Sequence, residues 1–415
     1  MKHTMILLLF LVLLAGAAPL LAVDYSPENE VYAQTAEPFI GTNVRMLGMG
    51  GAGLAVRGYH DSFLVNPANM AKSGFKFSLP SVTVTAFNAK AILESGAIED
   101  FTGESEDGDM TSGIEKLLNT IRKGYGDVLT TDLSTSFSVG SFGFSLQAQE
   151  RLMSFKESYG FDTINLIAQV TTAATAGFGF RIQAIPDVMS IDLGLSAQMV
   201  YKAYLEAVSA ETLMGSFDDP SVLMSGTPLV AGYALPLSFG VNMNLPAGLT
   251  ISAAAKNLNG NYTMSTYQSL NDWGQEVLDA EFGEDTSDDS TFTSESITIE
   301  SDWRLDTGLA WAPDIGSLLR PVVAVDVVDV MQLSGKQGDE LTNALLSQTR
   351  FGASVRLLGL LDFRYGLNQG YQSIGVGFDL LIFHIDAAYY SLEYGSKING
   401  KPIDALSLRF SLFSR

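Results

Sequence analysis

The sequence predicts an all-β fold, a transmembrane antiparallel β-barrel of about fourteen strands. Three observations carry the prediction. Beyond residue 74, apolar and polar side chains alternate with a period of two, the mark of strands with one apolar face. Most alternating segments run about 9–15 residues, enough to cross a bilayer at a tilt, whereas soluble sandwich strands are usually ~5–6. Long and short connections also take turns along the chain, as they do between the two rims of a membrane barrel.

Composition narrows the classes further. The 415 residues carry a formal charge of −22, and 47% of them are hydrophobic. Polyphosphate binding needs surplus Lys and Arg, so a nucleic-acid partner is excluded. With no cysteine there is no disulfide framework, thiolate metal site or Cys nucleophile. The three histidines, His3, His60 and His384, leave little material for a zinc site or a His-based triad. No nucleophile–base pair can be read from the chain, so no enzyme, metal or cofactor is expected.

The N-terminus reads as an export leader. Lys2 and His3 precede an apolar run from Met5 to Ala22, and Asp24 follows. A positive start, an apolar middle and a small residue at the cut describe a signal peptide over 1–22, with cleavage after Ala17 or Ala18 as the alternative. No later stretch approaches the ~18 apolar residues of a membrane helix. The expected location is the outer membrane, reached through a cleaved signal peptide.

The strands are expected near 75–87, 131–139, 141–155, 161–184, 189–204, 229–243, 248–258, 302–312, 321–332, 349–358, 360–368, 371–381, 383–394 and 405–414. Ser134, Ser136 and Ser138 alternate with Leu133, Thr135, Phe137 and Val139; Leu406, Leu408, Phe410 and Leu412 alternate with Ser407, Arg409 and Ser411. Trp303 and Trp311 share a parity with Leu305 and Leu309. Eight residues at ~3.3 Å, tilted about 40°, set the two indoles roughly 20 Å apart along the normal, as two interfacial girdles require. The 161–184 segment is long enough to be two strands. Kept whole, it puts the insertions at 88–130, 205–228, 259–301, 333–348 and 395–404 after odd strands. The short connections at Gly140, Pro186-Asp187, Asn244 to Ala247, Pro313 to Leu319 and Gly359 then follow even ones. The Leu381–Ile382 turn lacks Gly, Asn or Pro and is the weakest boundary.

Two insertions carry most of the charge. Glu94 to Asp127 holds nine acids and three bases, and Asp272 to Asp302 eleven acids and no base. Glu284-Asp285 and Asp288-Asp289 lack the D-x-D-x-D-G spacing of a calcium loop, which favours solvated, self-repelling chain. Both insertions contain amphipathic helix candidates. Ser112 and Glu115 form a capping box ahead of Ile114, Leu117, Leu118 and Ile121, and Trp273, Val277 and Leu278 follow a candidate cap at Asn271. These helices either cover the barrel mouth or frame an apolar landing groove for a hydrophobic ligand. On the polar parity of the last strands stand Arg350, Arg356, Asp362, Arg364, Asp379, Asp386 and Arg409. Charges on a membrane barrel belong in the lumen, where they neutralise one another or line a polar path.

Residues 48–53 read Gly-Met-Gly-Gly-Ala-Gly, a literal G-x-G-x-x-G. As a dinucleotide fingerprint the motif fails, since no strand precedes it and no βαβ unit follows. Its glycines suit tight backbone packing in a compact segment. The run Arg45-Met-Leu-Gly48-Met-Gly50-Gly51-Ala52, with Ala55-Val56, Asp61 and Asn66-Pro67-Ala68, resembles the N-terminal signature of the FadL/TodX superfamily of outer-membrane transporters of hydrophobic compounds. That signature is also carried by secretion shuttle proteins and by spirochaete paralogues. The resemblance implies a plug over 23–74 ahead of a fourteen-stranded barrel over 75–415. Arg45, Gly48, Gly50, Gly51, Asp61, Asn66, Pro67 and Ala68 would be plug residues. No ligand-contacting residue carries over. The chain departs from the usual barrel end, since Phe413 is followed by Ser414-Arg415, which bears on recognition by the outer-membrane assembly machinery.

The function expected from this resemblance is passive uptake of long-chain fatty acids or other hydrophobic small molecules, gated by the plug, with a sideways exit through the wall. The physical motive is that an apolar channel lowers the desolvation barrier of an amphiphile. The expected partners are outer-membrane lipid and a hydrophobic ligand such as a fatty acid, with the protein a monomer. A secretion shuttle or surface scaffold binding a protein partner, and a general porin, are the alternatives.

Overall fold

The computed structural model describes residues 27–102, 110–158, 160–186, 188–216, 219, 221–278, 296–316, 318–380, 382–395 and 398–412. The leader, Glu284 to Asp289, Leu381 and the Phe413-Ser414-Arg415 terminus lie outside the described residues.

Alternation builds fourteen antiparallel strands. They are β1 (Gly74–Phe87), β2 (Gly124–Gly140), β3 (Phe142–Lys156), β4 (Ile164–Ile185) and β5 (Met189–Leu205). Three broken strands follow: β6 (Leu229–Ala234 and Leu237–Asn244), β7 (Leu249–Leu258 and Tyr262–Tyr267) and β8 (Ser296–Ile299 and Arg304–Trp311). The wall ends with β9 (Leu319–Val327), β10 (Thr349–Leu357), β11 (Leu361–Asn368), β12 (Tyr371–Leu380), β13 (Phe383–Glu393) and β14 (Pro402–Leu412). Each pairs with the next, and β14 returns to β1 from Ser81↔Ser411 to Phe87↔Ala405, closing the ring. The 161–184 segment is one strand, as the connection lengths required.

The wall is inside-out relative to a soluble protein. Leu408 and Phe410 are 51% and 44% exposed, while Ser407 and Ser411 on either side of them, and Arg409 between them, are buried. An outward apolar band with polar residues turned to the lumen is the signature of a membrane-spanning barrel. Trp303 and Trp311 both stand on the exposed face, one at each end of the longer β8 segment.

The wall reaches further at the long-loop rim than the pattern indicates. β2 begins at Gly124, so 124–130 leaves the expected 88–130 loop and joins the sheet. Its alternation is spoiled by Asp127, a charge the barrel accepts because Arg151 and the Tyr394 hydroxyl bind it inside. β7 likewise resumes at Tyr262–Tyr267 within the expected 259–301 insertion, burying Tyr262 and Met264.

β6, β7 and β8 break at one level. Pro236 has no N–H for the ladder, so β6 must interrupt there. Asparagines replace the missing ladder bonds. The Asn257 side chain donates to Ser301 O, Ser301 Oγ and Asp302 O, each at 3.0 Å, and Asn261 Oδ1 accepts from Ser301 N at 3.1 Å. A backbone group in hydrocarbon has no water to bond, so the wall needs these substitutes.

Helices of the long connections cover one rim: α4 (Ala89–Ser95), α5 (Ala97–Thr102), α6 (Met110–Asn119), α7 (Ala210–Gly215), α8 (Ser221–Gly226), α9 (Leu270–Leu278) and α10 (Gly338–Gln348). Two expected caps shift. α6 starts before Ser112, whose hydroxyl donates to Asp100 at 2.7 Å, and α9 is capped by Ser269, which accepts from Asp272 N at 3.1 Å, leaving Asn271 inside.

The segment before β1 runs inside the barrel. It holds α1 (Pro27–Thr35), α2 (Val44–Gly48), α3 (Ser62–Val65) and a 3₁₀ turn, Pro67–Met70. α1 packs on β2 and β3, α2 on β11 to β14, and the 3₁₀ turn on β4, β5 and β6.

Candidate functional site

The lumen is cut to the shape of this N-terminal segment. Wall glycines mark where the two backbones approach. A Cβ at Gly240 would strike Asn66, one at Gly194 would strike Pro67, and one at Gly366 would strike Gly50 and Met49. The motif glycines answer from the segment. Gly50 and Gly51 take φ of +66° and +82°, which a side chain resists, and a Cβ at Gly48 would lie 2.9 Å from Gly375 Cα. Asn66 Oδ1 accepts from Ala68 N at 3.0 Å, capping the 3₁₀ turn at Pro67-Ala68, while its amide donates to Asn242 of β6 at 2.8 Å.

Charged side chains tie the segment to the wall. Asp326 of β9 accepts from Gly53 N and Leu54 N at 2.6 and 2.8 Å. Arg57 meets Asp192 at 2.8 Å, and Lys202 donates to Thr35 O and Glu37 O. Parity places Asp192, Lys202, Asn242 and Asp326 in the lumen, and that was the available signal. Their partners, hundreds of residues away in some cases, left no mark in the sequence. Asp61 accepts from Asn43 at 3.0 Å and from Arg409 at 3.3 Å.

The expected lumen charges gather toward the short-turn rim. Arg356 pairs with Asp379 at 2.6 Å, and Arg364 with Asp362 and Asp386 at 2.9 and 2.5 Å. His384 bonds Asp386 at 2.8 Å. Arg350 stands apart and donates to the Ser347 and Thr349 carbonyls.

The apolar loop residues do not form an open groove. Leu118 and Ile121 are buried in a core with Val128, Ile164, Leu166 and Ala210, against which Ile114 and Leu117 also pack. Their stripe is spent on holding the cap together. Trp273 packs with Leu229, Ala231 and Tyr267 and donates its indole N–H to Tyr201 Oη at 2.7 Å. Val277 is exposed on α9, and the side chain of Leu278 lies outside the described residues.

Two of the cavities around the segment meet at its middle. The upper, about 400 Å³, is lined from the segment by apolar Pro38, Phe39, Ile40, Met46, Leu47 and Leu54, and also by polar Gln34, Glu37, Thr42 and Asn43. Its wall side is mostly polar, with Ser134, Gln147, Gln149, Thr171, Lys256 and Arg304 beside Phe87, Val328 and Tyr390. The lower, about 310 Å³, sits beside the Gly359–Leu360 turn and is lined by Arg45, Arg320, Arg356, Asp362, Asp379, His384 and Asp386. His60, Asp61 and Arg409 line both, so this trio stands between them. The two His60 nitrogens face Ser136 Oγ at 2.6 Å and Arg409 at 3.2 Å. Burial pushes the His60 imidazole down to about 4, so it is neutral at pH 7. Burial works to raise the Asp61 carboxyl, but His60, Arg409 and Arg45 outweigh it and hold it below the usual carboxylate range.

A smaller cavity of about 50 Å³ continues from Pro38, Phe39, Ile40, Lys256 and Arg304 to Pro236 and Asn257 at the wall break. Another of about 470 Å³ joins Glu37, Pro38, Ile40 and Arg304 to Ser301, Asp302 and Trp303 at the same break.

No family model matches the chain, and no curated protein matches it. Solved structures do. It is similar to the toluene transporter TbuX of Ralstonia pickettii, at 13% identity and TM-score 0.43, over 91% of this chain and 98% of that one. It is similar to the toluene transporter TodX of Pseudomonas putida, at 10% identity and TM-score 0.42, over 91% and 98% of the two chains. A FadL homologue of Pseudomonas aeruginosa matches at 11% identity and TM-score 0.39, over 90% and 98%. The chain's own pairing and packing show the architecture that the Arg45-to-Ala68 resemblance implied, a closed fourteen-stranded barrel around an N-terminal segment.

Proposed function

We propose that this protein is an outer-membrane channel for hydrophobic small molecules, long-chain fatty acids among them, and that the N-terminal segment ahead of β1 plugs it. The observation that carries the reading is the upper cavity. It lies inside a membrane barrel, is shaped by the segment that fills the lumen, and draws Pro38, Phe39, Ile40, Met46, Leu47 and Leu54 into its lining. A water-filled diffusion pore has no use for that surface, whereas an apolar molecule gains by burial there.

The side route belongs at the break in β6, β7 and β8. The cavities that reach it start from the same Pro38 and Ile40 that line the lumen site. The break lies at the level of Trp303, toward the long-loop rim, so the sideways step is access from the outer leaflet. The passenger then moves down past His60, Asp61 and Arg409 when the segment shifts.

Two measurements on the full-length protein test this. In planar bilayers the wild type should show little steady conductance, and a large open pore would favour a general porin. A strain lacking the protein should take up hydrophobic compounds more slowly; unchanged uptake, with no saturable binding by the purified protein, would overturn the reading.

A further inference from the structure

We propose that Arg45 is a docking site for the carboxylate of an organic-acid passenger in the lower cavity. The inference rests on the channel reading above and names the chemical class of the cargo.

The lower cavity is crowded with charge, most of it paired, although Asp61 Oδ1 and Asp362 Oδ1 are themselves buried without a hydrogen-bond partner among the described residues. Asp379 holds Arg356, Asp362 and Asp386 hold Arg364, and His384 also bonds Asp386. Asp61 holds Arg409. Arg45 is different. It is 5% exposed, lines the cavity, and makes no ion pair or hydrogen bond among the described residues. Its Nη1 is buried without a hydrogen-bond partner among the described residues. Its guanidinium lies 3.5 Å over the Tyr59 ring, which holds the plane in place but satisfies none of its N–H groups.

A buried guanidinium without an acceptor is costly unless something supplies one. A carboxylate is the natural complement, since two parallel N–H···O bonds match the fork of the guanidinium. Arg320 adds a second cation to the same cavity, again without an acid within ion-pair distance among the described residues. It sits directly opposite Arg356 across the β9–β10 ladder, a like-charge pair that a bound anion would relieve.

The position fits the route. Arg409 faces both cavities and is held to Asp61 by a single 3.3 Å contact, so a carboxylate coming from above meets Arg409 and then Arg45. The apolar tail would trail in the upper cavity against Phe39, Ile40 and Met46.

The test is equilibrium dialysis of labelled octanoate and octan-1-ol against purified full-length protein, with protein-free micelles subtracted. Wild type should bind the acid at least about tenfold more tightly than the alcohol, as expected for one charge-assisted pair. Arg45→Gln should lose that preference, with octanoate binding falling toward that of octan-1-ol. Arg45→Lys keeps the charge without the fork and should fall between the two, which guards against a Gln variant that fails to fold. Equal binding of acid and alcohol by wild type, or octanoate binding untouched in Arg45→Gln, would overturn the inference while leaving the channel reading in place. If neither compound binds, both fall.

Discussion

Arg57 of the N-terminal segment meets Asp192 of β5 at 2.8 Å, while Arg181 of β4 grips the same carboxylate at 2.6 and 2.9 Å. Asp192 is fully buried, so it needs a cation, but Arg181 alone could satisfy it. Arg57 therefore ties the segment to the wall at a carboxylate that the wall keeps neutralised by itself. Arg57→Ala should leave barrel folding intact, read as an unchanged heat-modifiable gel shift, and should introduce channel openings in planar bilayers. A silent bilayer with a folded variant would mean that Arg57 does not hold the segment.

Gly240 and Gly194 face the Asn66-Pro67-Ala68 backbone with no room for a side chain. Gly240→Val should either expel the segment or strain the wall, lowering stability by about 1–3 kcal/mol as overpacked sites do. Gly215→Ala is the control, since nothing lies within 4 Å of a Cβ there. Urea unfolding in detergent measures both, and equal midpoints would show that the segment tolerates displacement at no cost.

Asn66 is fully buried, caps the 3₁₀ turn and bonds Asn242. Asn66→Ala should cost about 1–3 kcal/mol through the lost cap and the unmatched polar groups left behind. A double-mutant cycle with Asn242→Ala should show a coupling above about 0.5 kcal/mol. Strict additivity would mean the two side chains act separately.

His60 gives the pH dependence. It stays neutral in the fold down to about 4, whereas the unfolded side chain titrates at 6.5. Between those values the unfolded chain binds the extra proton, so stability rises with pH. The full stability is present above 6.5 and is lost as pH falls toward 4, by up to about 3 kcal/mol. His60→Gln should flatten that part of the urea-midpoint profile, and an unchanged slope would assign the acid sensitivity elsewhere.

How much could be read beforehand follows the range of each interaction. All fourteen strands were legible, because alternation is a property of neighbours two residues apart and lipid outside demands one apolar face. Their outer ends were not, since Asp127 looks like loop until Arg151 and Tyr394 are beside it. The stripe on α6 was visible as apolar, yet a stripe reads the same whether it faces a ligand or, as here, the Ile164–Leu166 part of the wall.

The sequence by itself determined the class and the wall: a cysteine-free chain whose period-two segments and alternating connections admit a membrane barrel, with the charge concentrated in two long connections. Tertiary structure alone decided what the lumen is. Closure of β14 on β1 curls the ring around the N-terminal segment and brings Gly53 to Asp326, Asp61 to Arg409 and Asn66 to Asn242. Those pairs lie far apart along the chain, so no local pattern encodes them. The cavities between them, and the unmatched guanidinium of Arg45, exist only because the ring closes where it does.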